Sequence, residues 1–240
     1  MQPAVGGTRV VRTLSAVSAV AVLCCVSAFV SLHVLPVSRR LNPVSVPLSN
    51  YALTPAGWLF NGGVLALIVG LLCLLAALVA AGELSRVSLP VLVTAGCCLA
   101  LTGVVLFPNR TLPDGALTPA AELHWVAAMA AFAGLPVAPL LLARRHRMRV
   151  GCSGLPRVAG WLARGASIWF VALLGGSIMA FTDRSHVWHV GGVVERALAG
   201  SEILAALLLT VWLWRGCRCY RQDEAALVVE TADAPLAAAA

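Results

Sequence analysis

The chain has no lysine, only ten acidic residues and only 11% charged residues in a length of 240. Soluble domains average about 25% charged and about 45–50% apolar residues. Here 60% of residues are apolar and the mean hydropathy is +0.91, so a soluble enzyme or binding module is not expected. Signatures that would name a reaction are missing as well. There is no GxSxG elbow to expose a nucleophilic serine and no HExxH helix to present two histidines to zinc. No basic stretch interleaves with aromatic residues, so nucleic acid is not an expected partner. Cysteine is absent from the loops expected outside the cell. Cys24, Cys25, Cys73, Cys97 and Cys98 lie in apolar runs, and Cys152, Cys217 and Cys219 lie on the side expected to be cytoplasmic. That placement argues against a disulfide framework, which needs an oxidising compartment.

What the chain does have is long apolar runs. A helix needs about 20 mainly apolar residues to cross the hydrocarbon layer with its backbone polar groups satisfied. Six runs qualify: Leu14 to Leu35, Gly57 to Ala81, Val87 to Phe107, Pro119 to Leu142, Trp161 to Phe181 and Gly191 to Trp214. The fold class is therefore all-α and polytopic, with six transmembrane helices in three outward-turning hairpins. Residues 1–13 form an N-terminal segment, 14–215 the membrane domain and 216–240 a tail expected to be disordered.

Arginine fixes the direction, because short cytoplasmic loops collect basic residues. Arg9, Arg12, Arg86, Arg144, Arg145, Arg147, Arg149, Arg157, Arg215, Arg218 and Arg221 fall on one side, eleven against four (Arg39, Arg40, Arg110 and Arg184) on the other. Both termini are thus expected in the cytoplasm, with the chain in a plasma membrane. Trp58, Trp125 and Trp188 mark the outer boundary, and Trp161, Trp212 and Trp214 the inner one. The 144–157 arginine loop would also attract anionic lipid headgroups, beyond the orienting effect of its charge. A competing reading of the first run is a signal peptide cleaved near Val26-Ser27-Ala28. A weak repeat is visible in Leu53-Thr54-Pro55-Ala56 and Leu117-Thr118-Pro119-Ala120, where each Thr reads as an N-cap and each Pro as the first helical residue.

The scarce polar groups are sorted. Asp114, Glu122, Asp183, Glu195, Glu202, His33, His124, His186 and His189 all fall in outer loops or the outer halves of spans. Ionisable groups at membrane depth are costly, so they pair with each other or line a hydrated cavity. Tyr51, His124, Glu195 and Arg196 are the candidate ligand-binding residues of an outward-facing pocket. Arginine's planar fork of donors suits a carboxylate or phosphate on a small amphiphile or lipid headgroup. No catalytic set, cofactor or metal site is assigned. Asp183, His186 and His189, with His124, keep a metal-dependent hydrolase as an alternative. A small transporter using Glu202 is a second alternative, though no span shows the break expected at a midplane site, Gly175-Gly176 and Gly134-Leu135-Pro136 being the nearest candidates. An accessory scaffold is a third.

The run from Pro43 to Leu59, with Ser49, Tyr51, Gly57 and Trp58, resembles a motif of the bacterial six-span membrane family known as domain of unknown function nine-nine-eight. Leu106-Phe107-Pro108 leading to Leu123-His124 and Ala130-Ala131-Phe132, and Gly192-Val193-Val194-Glu195-Arg196, match the same family. The resemblance covers about Leu14 to Arg215 and implies architecture and location without an activity. Carried onto this chain, it points to Ser49, Tyr51, Gly57, Trp58, Pro108, His124, Glu195 and Arg196. Asn50 and Asn109-Arg110 depart from the pattern, standing where acids are usual. Losing those acids weakens any metal-binding or proton-relay role for the outer face.

Overall fold

The computed structural model describes residues 5–36, 41–112, 116–147, 154–182 and 189–232. Its helices are α1 (Val5–Val34), a 3-10 helix (Leu48–Leu53), α2 (Gly57–Ala80), α3 (Leu89–Leu106), α4 (Pro119–Gly134), α5 (Val137–Arg147), α6 (Leu155–Thr182) and α7 (Gly191–Ala232). Extended pairing among the described residues is limited to one isolated bridge, Thr111 with Leu117. Six stretches are long and apolar enough to span a membrane: Thr8–Val34, Gly57–Ala80, Leu89–Leu106, Pro119–Arg145, Leu155–Met179 and Gly191–Gly216. They pack as the hairpins α1/α2, α3/α4 and α6/α7, closed by α1 against α7 and α5 against α6. All three hairpins turn at the end of the bundle away from both chain ends, here the distal end; the other is the proximal end.

In lipid, helices gain little by hiding apolar surface from one another, so close backbone approach and buried polar contacts hold them together. The α1/α2 seam shows both. A side chain at Gly63 would run into Phe29, and one at Gly70 into Val22. Beside Gly70, the Ser18 hydroxyl donates to the Gly70 carbonyl at 2.8 Å and lies 3.0 Å from the Thr210 hydroxyl, joining α1, α2 and α7. Val22, Cys25 and Leu32 of α1 are completely buried, so the first span is an integral member of the bundle. The opposite faces carry Leu99, Ile168 and Trp161, exposed as lipid contacts would be. At the proximal end Arg12 lies over Trp214 and Arg164 over Trp161, placing the basic side chains beside the tryptophan belt.

Four local features differ from expectation. The helix of the first span begins at Val5, nine residues ahead of its apolar run from Leu14. Thr54 does not cap α2: it ends the 3-10 helix, its hydroxyl donating to the Tyr51 carbonyl and accepting from the Ala56 amide, and α2 starts at Gly57. Gly57 is required there because a Cβ would strike the Ala52 carbonyl. Thr118 does cap α4, accepting from the Ala121 amide at 3.2 Å, so the two similar tetrapeptides serve different local structures. The fourth span is broken at Leu135-Pro136, between α4 and α5. Proline lacks the amide that would continue the helix and crowds the carbonyl four residues back. Finally, α7 runs on to Ala232, into the tail expected to lack structure. A helix already nucleated adds residues cheaply, and the next proline is Pro235.

Candidate functional site

The distal end is organised by the segment from Leu41 to Ala56. The 3-10 helix begins after Pro47, which has no side chain to cap it. Its first free amide is met from α7 instead. The Leu48 amide donates to Glu195 Oε2 at 2.8 Å. Glu195 thus acts as a helix cap supplied from 147 residues away in sequence. The α7 N-terminus is met in return, the Val193 amide donating to the Val44 carbonyl at 3.1 Å. This approach is so close that a Cβ on Gly192 would sit 2.5 Å from the Val46 oxygen and 2.6 Å from that of Pro43.

Arg196 fastens the same segment. Its Nη1 donates to the Val46 and Gly192 carbonyls, each at 2.8 Å, and its Nε donates to His33 Nε2 at 2.8 Å. The His33 ring meets the Phe29 carbonyl through Nδ1 at 2.7 Å. Because a carbonyl only accepts, Nδ1 carries the proton and Nε2 presents its lone pair to arginine. Tyr51 is buried beneath this pair, 5.6 Å from the Arg196 guanidinium and 5.5 Å from the His33 ring. Arg196 Nη2 is buried with no partner.

His124 projects from the second turn of α4. Its Nδ1 lies 2.8 Å from the Phe107 carbonyl and 3.1 Å from that of Val104, at the end of α3. By the same reasoning Nδ1 donates, satisfying carbonyls that the end of α3 leaves open. Nε2 is then a bare acceptor, buried and without a partner. His124 lines a distal cavity of about 230 Å³, shared with Glu195, Ser49, Asn109 and Ser177 and walled by Trp125 and Phe132. Asn109 Nδ2 donates to Asn50 Oδ1 at 3.2 Å, tying the 107–118 loop to the 3-10 helix. Asn50 and Asn109, where the family resemblance led to an expectation of acids, are therefore in contact as two paired amides.

The four expected ligand-binding residues thus fall into two groups. His124 and Glu195 line the cavity, whereas Tyr51 and Arg196 lie behind its wall and hold the 41–53 segment in place. His33, Ser49, Asn109 and Ser177 belong to the arrangement but carried no spacing signal. Among the described residues no group of three or more His, Cys, Asp or Glu converges as metal ligands would. Asp183 and His186 lie outside the described residues, and His189 is exposed.

Below the distal cavity lies a middle one of about 60 Å³, sharing His124, Glu195, Ala128 and Phe132 with it and reaching Glu202. Glu202 also lines an innermost cavity of about 30 Å³ with Thr94. In comparisons with known proteins, residues 19–212 match the family described as protein of unknown function (DUF998). No curated protein and no solved structure matches the chain.

Proposed function

The chain belongs to this DUF998 family, which carries an architecture without an activity, and from that premise we propose that its distal cavity binds the head of a small amphiphile or membrane lipid. The observation that carries the reading is His124, a residue lining a 230 Å³ cavity whose Nε2 is a buried acceptor with no partner. A second acceptor, the Glu195 carboxylate, lies on the same wall. These two acceptors favour a head group that donates hydrogen bonds, an ammonium above all. Trp125, Met129, Phe132 and Leu173 offer an apolar wall for the adjoining chain. Tyr51 and Arg196 contribute by positioning the 41–53 segment. The excess of arginine at the proximal end supports a bacterial plasma-membrane orientation with that end cytoplasmic and the cavity facing outward. The arginine loop would then lie against anionic lipid.

The test is binding of phosphatidylethanolamine, with its N–H donors, against phosphatidylcholine, which has none, to the full chain in nanodiscs. Hydrogen bonds to charged groups are worth about 1.5–3 kcal/mol, so the ethanolamine lipid is expected to bind roughly 10- to 100-fold more tightly, a preference removed by His124→Leu. Equal binding of both lipids, or a preference indifferent to His124→Leu, would overturn the reading. A purely fastening role for Glu195 shows differently, as lost stability in Glu195→Gln with the lipid preference intact.

A further inference from the structure

Glu202 stands seven residues beyond Glu195 on α7 and therefore on the same face. It is eleven residues into the Gly191–Gly216 span, roughly 16 Å below its distal end at 1.5 Å per residue, close to the middle of a bilayer core about 30 Å thick. It is 8% exposed, and Oε1 has no hydrogen-bond partner. Thr94, 6% exposed and on the wall of the same innermost cavity, has an unpartnered Oγ1.

The break in the fourth span falls beside this pair. Pro136 and Pro139 have no amide hydrogen, so the carbonyls of Phe132 and Leu135 lose their i+4 donors, and both residues line the middle cavity with Glu202. Interrupted backbone at membrane depth is tolerated only where it is buried in protein or lines a hydrated space. A water needs roughly 10–15 Å³ and two to four polar partners. The inner cavities, about 60 and 30 Å³, have the room, and Glu202 and Thr94 on the wall of the smaller one supply two polar partners.

The titratable groups facing Glu202 are few. Cys97 of α3 lies near it, and His124 of α4 and Glu195 of α7 share the middle cavity. From α1, α2 and α5 the lining is apolar, with Phe29, Leu67, Leu71, Ala138 and Pro139. No described arginine is paired with it. A carboxyl so placed can be accommodated only by a proton or by water.

We propose that Glu202 is a proton-binding site near the membrane midplane, reached from the distal cavity through the neck formed by His124, Glu195 and Ala128, with ordered water between Glu202 and Thr94. The proton arrives from the distal side, passes along water beside the His124 Nε2 acceptor and rests on a Glu202 oxygen; it leaves by the same route. Nothing in this half-channel requires the amphiphile, so it stands or falls apart from the lipid reading.

The experiment is infrared difference spectroscopy of the full chain in nanodiscs, titrated in pH and exchanged from H2O into D2O. A carboxyl C=O band that appears and disappears with pH, shifts on deuteration, is lost in Glu202→Gln and is displaced but retained in Glu202→Asp is expected. Ala128→Leu, which fills the neck, should slow the deuterium shift severalfold. A titrating spectrum identical in wild type and Glu202→Gln would overturn the proposal, as would unchanged exchange in Ala128→Leu. Thermal stabilisation by sodium at fixed pH that depends on Glu202 would replace the proton by a metal cation and also overturn it. Should Glu202→Gln fail to fold, the band displacement in Glu202→Asp decides alone.

Discussion

Glu195 and Arg196 are neighbours in sequence with complementary tasks. One accepts from the first amide of the 3-10 helix while the other donates to the carbonyl of Val46 just before it, so a carboxylate and a guanidinium hold both polarities of one short segment. The segment sits so close to α7 that only glycine fits at position 192. Gly192→Ala would press a Cβ against two backbone oxygens, and overpacking of this kind costs about 1–3 kcal/mol. Thermal unfolding in nanodiscs should register that loss. Gly200→Ala, where nothing lies within 4 Å, should leave stability unchanged or slightly raised. Equal effects at both positions would show that the contact at Gly192 is not tight. That Glu195 and Arg196 matter could be read from charge at membrane depth. Their partners could not, because Leu48, Val46 and His33 lie about 150 residues away and contribute mainly backbone groups that no side-chain pattern reveals.

At the scale of elements, the apolar runs located every span, since run length directly reflects the thickness of hydrocarbon. Helix ends were harder to read. Thr54-Pro55 and Thr118-Pro119 look alike, yet only the second begins a helix, because the tight 52–57 turn is set by contact with Ala52. The interruption at Leu135-Pro136 was visible as a motif but not as a break, since proline in a membrane helix is often absorbed as a kink. Here Gly134 packs directly on Cys97 and Val93 of α3, leaving no room for a side chain. Pro136→Ala restores the missing amide and is expected to join α4 to α5. Hydrogen exchange should then show greater protection at residues 135–140. Unchanged protection would mean that packing of Gly134 on α3, and not proline, imposes the break.

At the scale of the molecule, charge is segregated along the bundle axis. Arginines crowd the proximal end, and the distal end holds the Glu195 carboxylate, the imidazoles and the 230 Å³ cavity. If this segregation orients the chain, Thr111→Cys on the exposed distal loop should react with a membrane-impermeant maleimide on intact cells. Arg86→Cys, exposed at the proximal end, should react only after permeabilisation. The reverse pattern would invert the topology and place the cavity on the cytoplasmic side.

The amino-acid sequence by itself determined the all-helical class, the number of spans and the sorting of charge between the two ends. Those properties follow from local composition, because bilayer thickness and backbone hydrogen bonding act on each segment separately. Only the tertiary structure decided that Glu195 caps a distant helix, that Arg196 and Tyr51 stand behind the cavity while His124 lines it, and that Glu202 lies beside a broken helix and Thr94. These depend on which helices become neighbours, and that is set by small residues such as Gly63, Gly70, Gly134 and Gly192, whose missing side chains permit close approach without leaving a periodic signal.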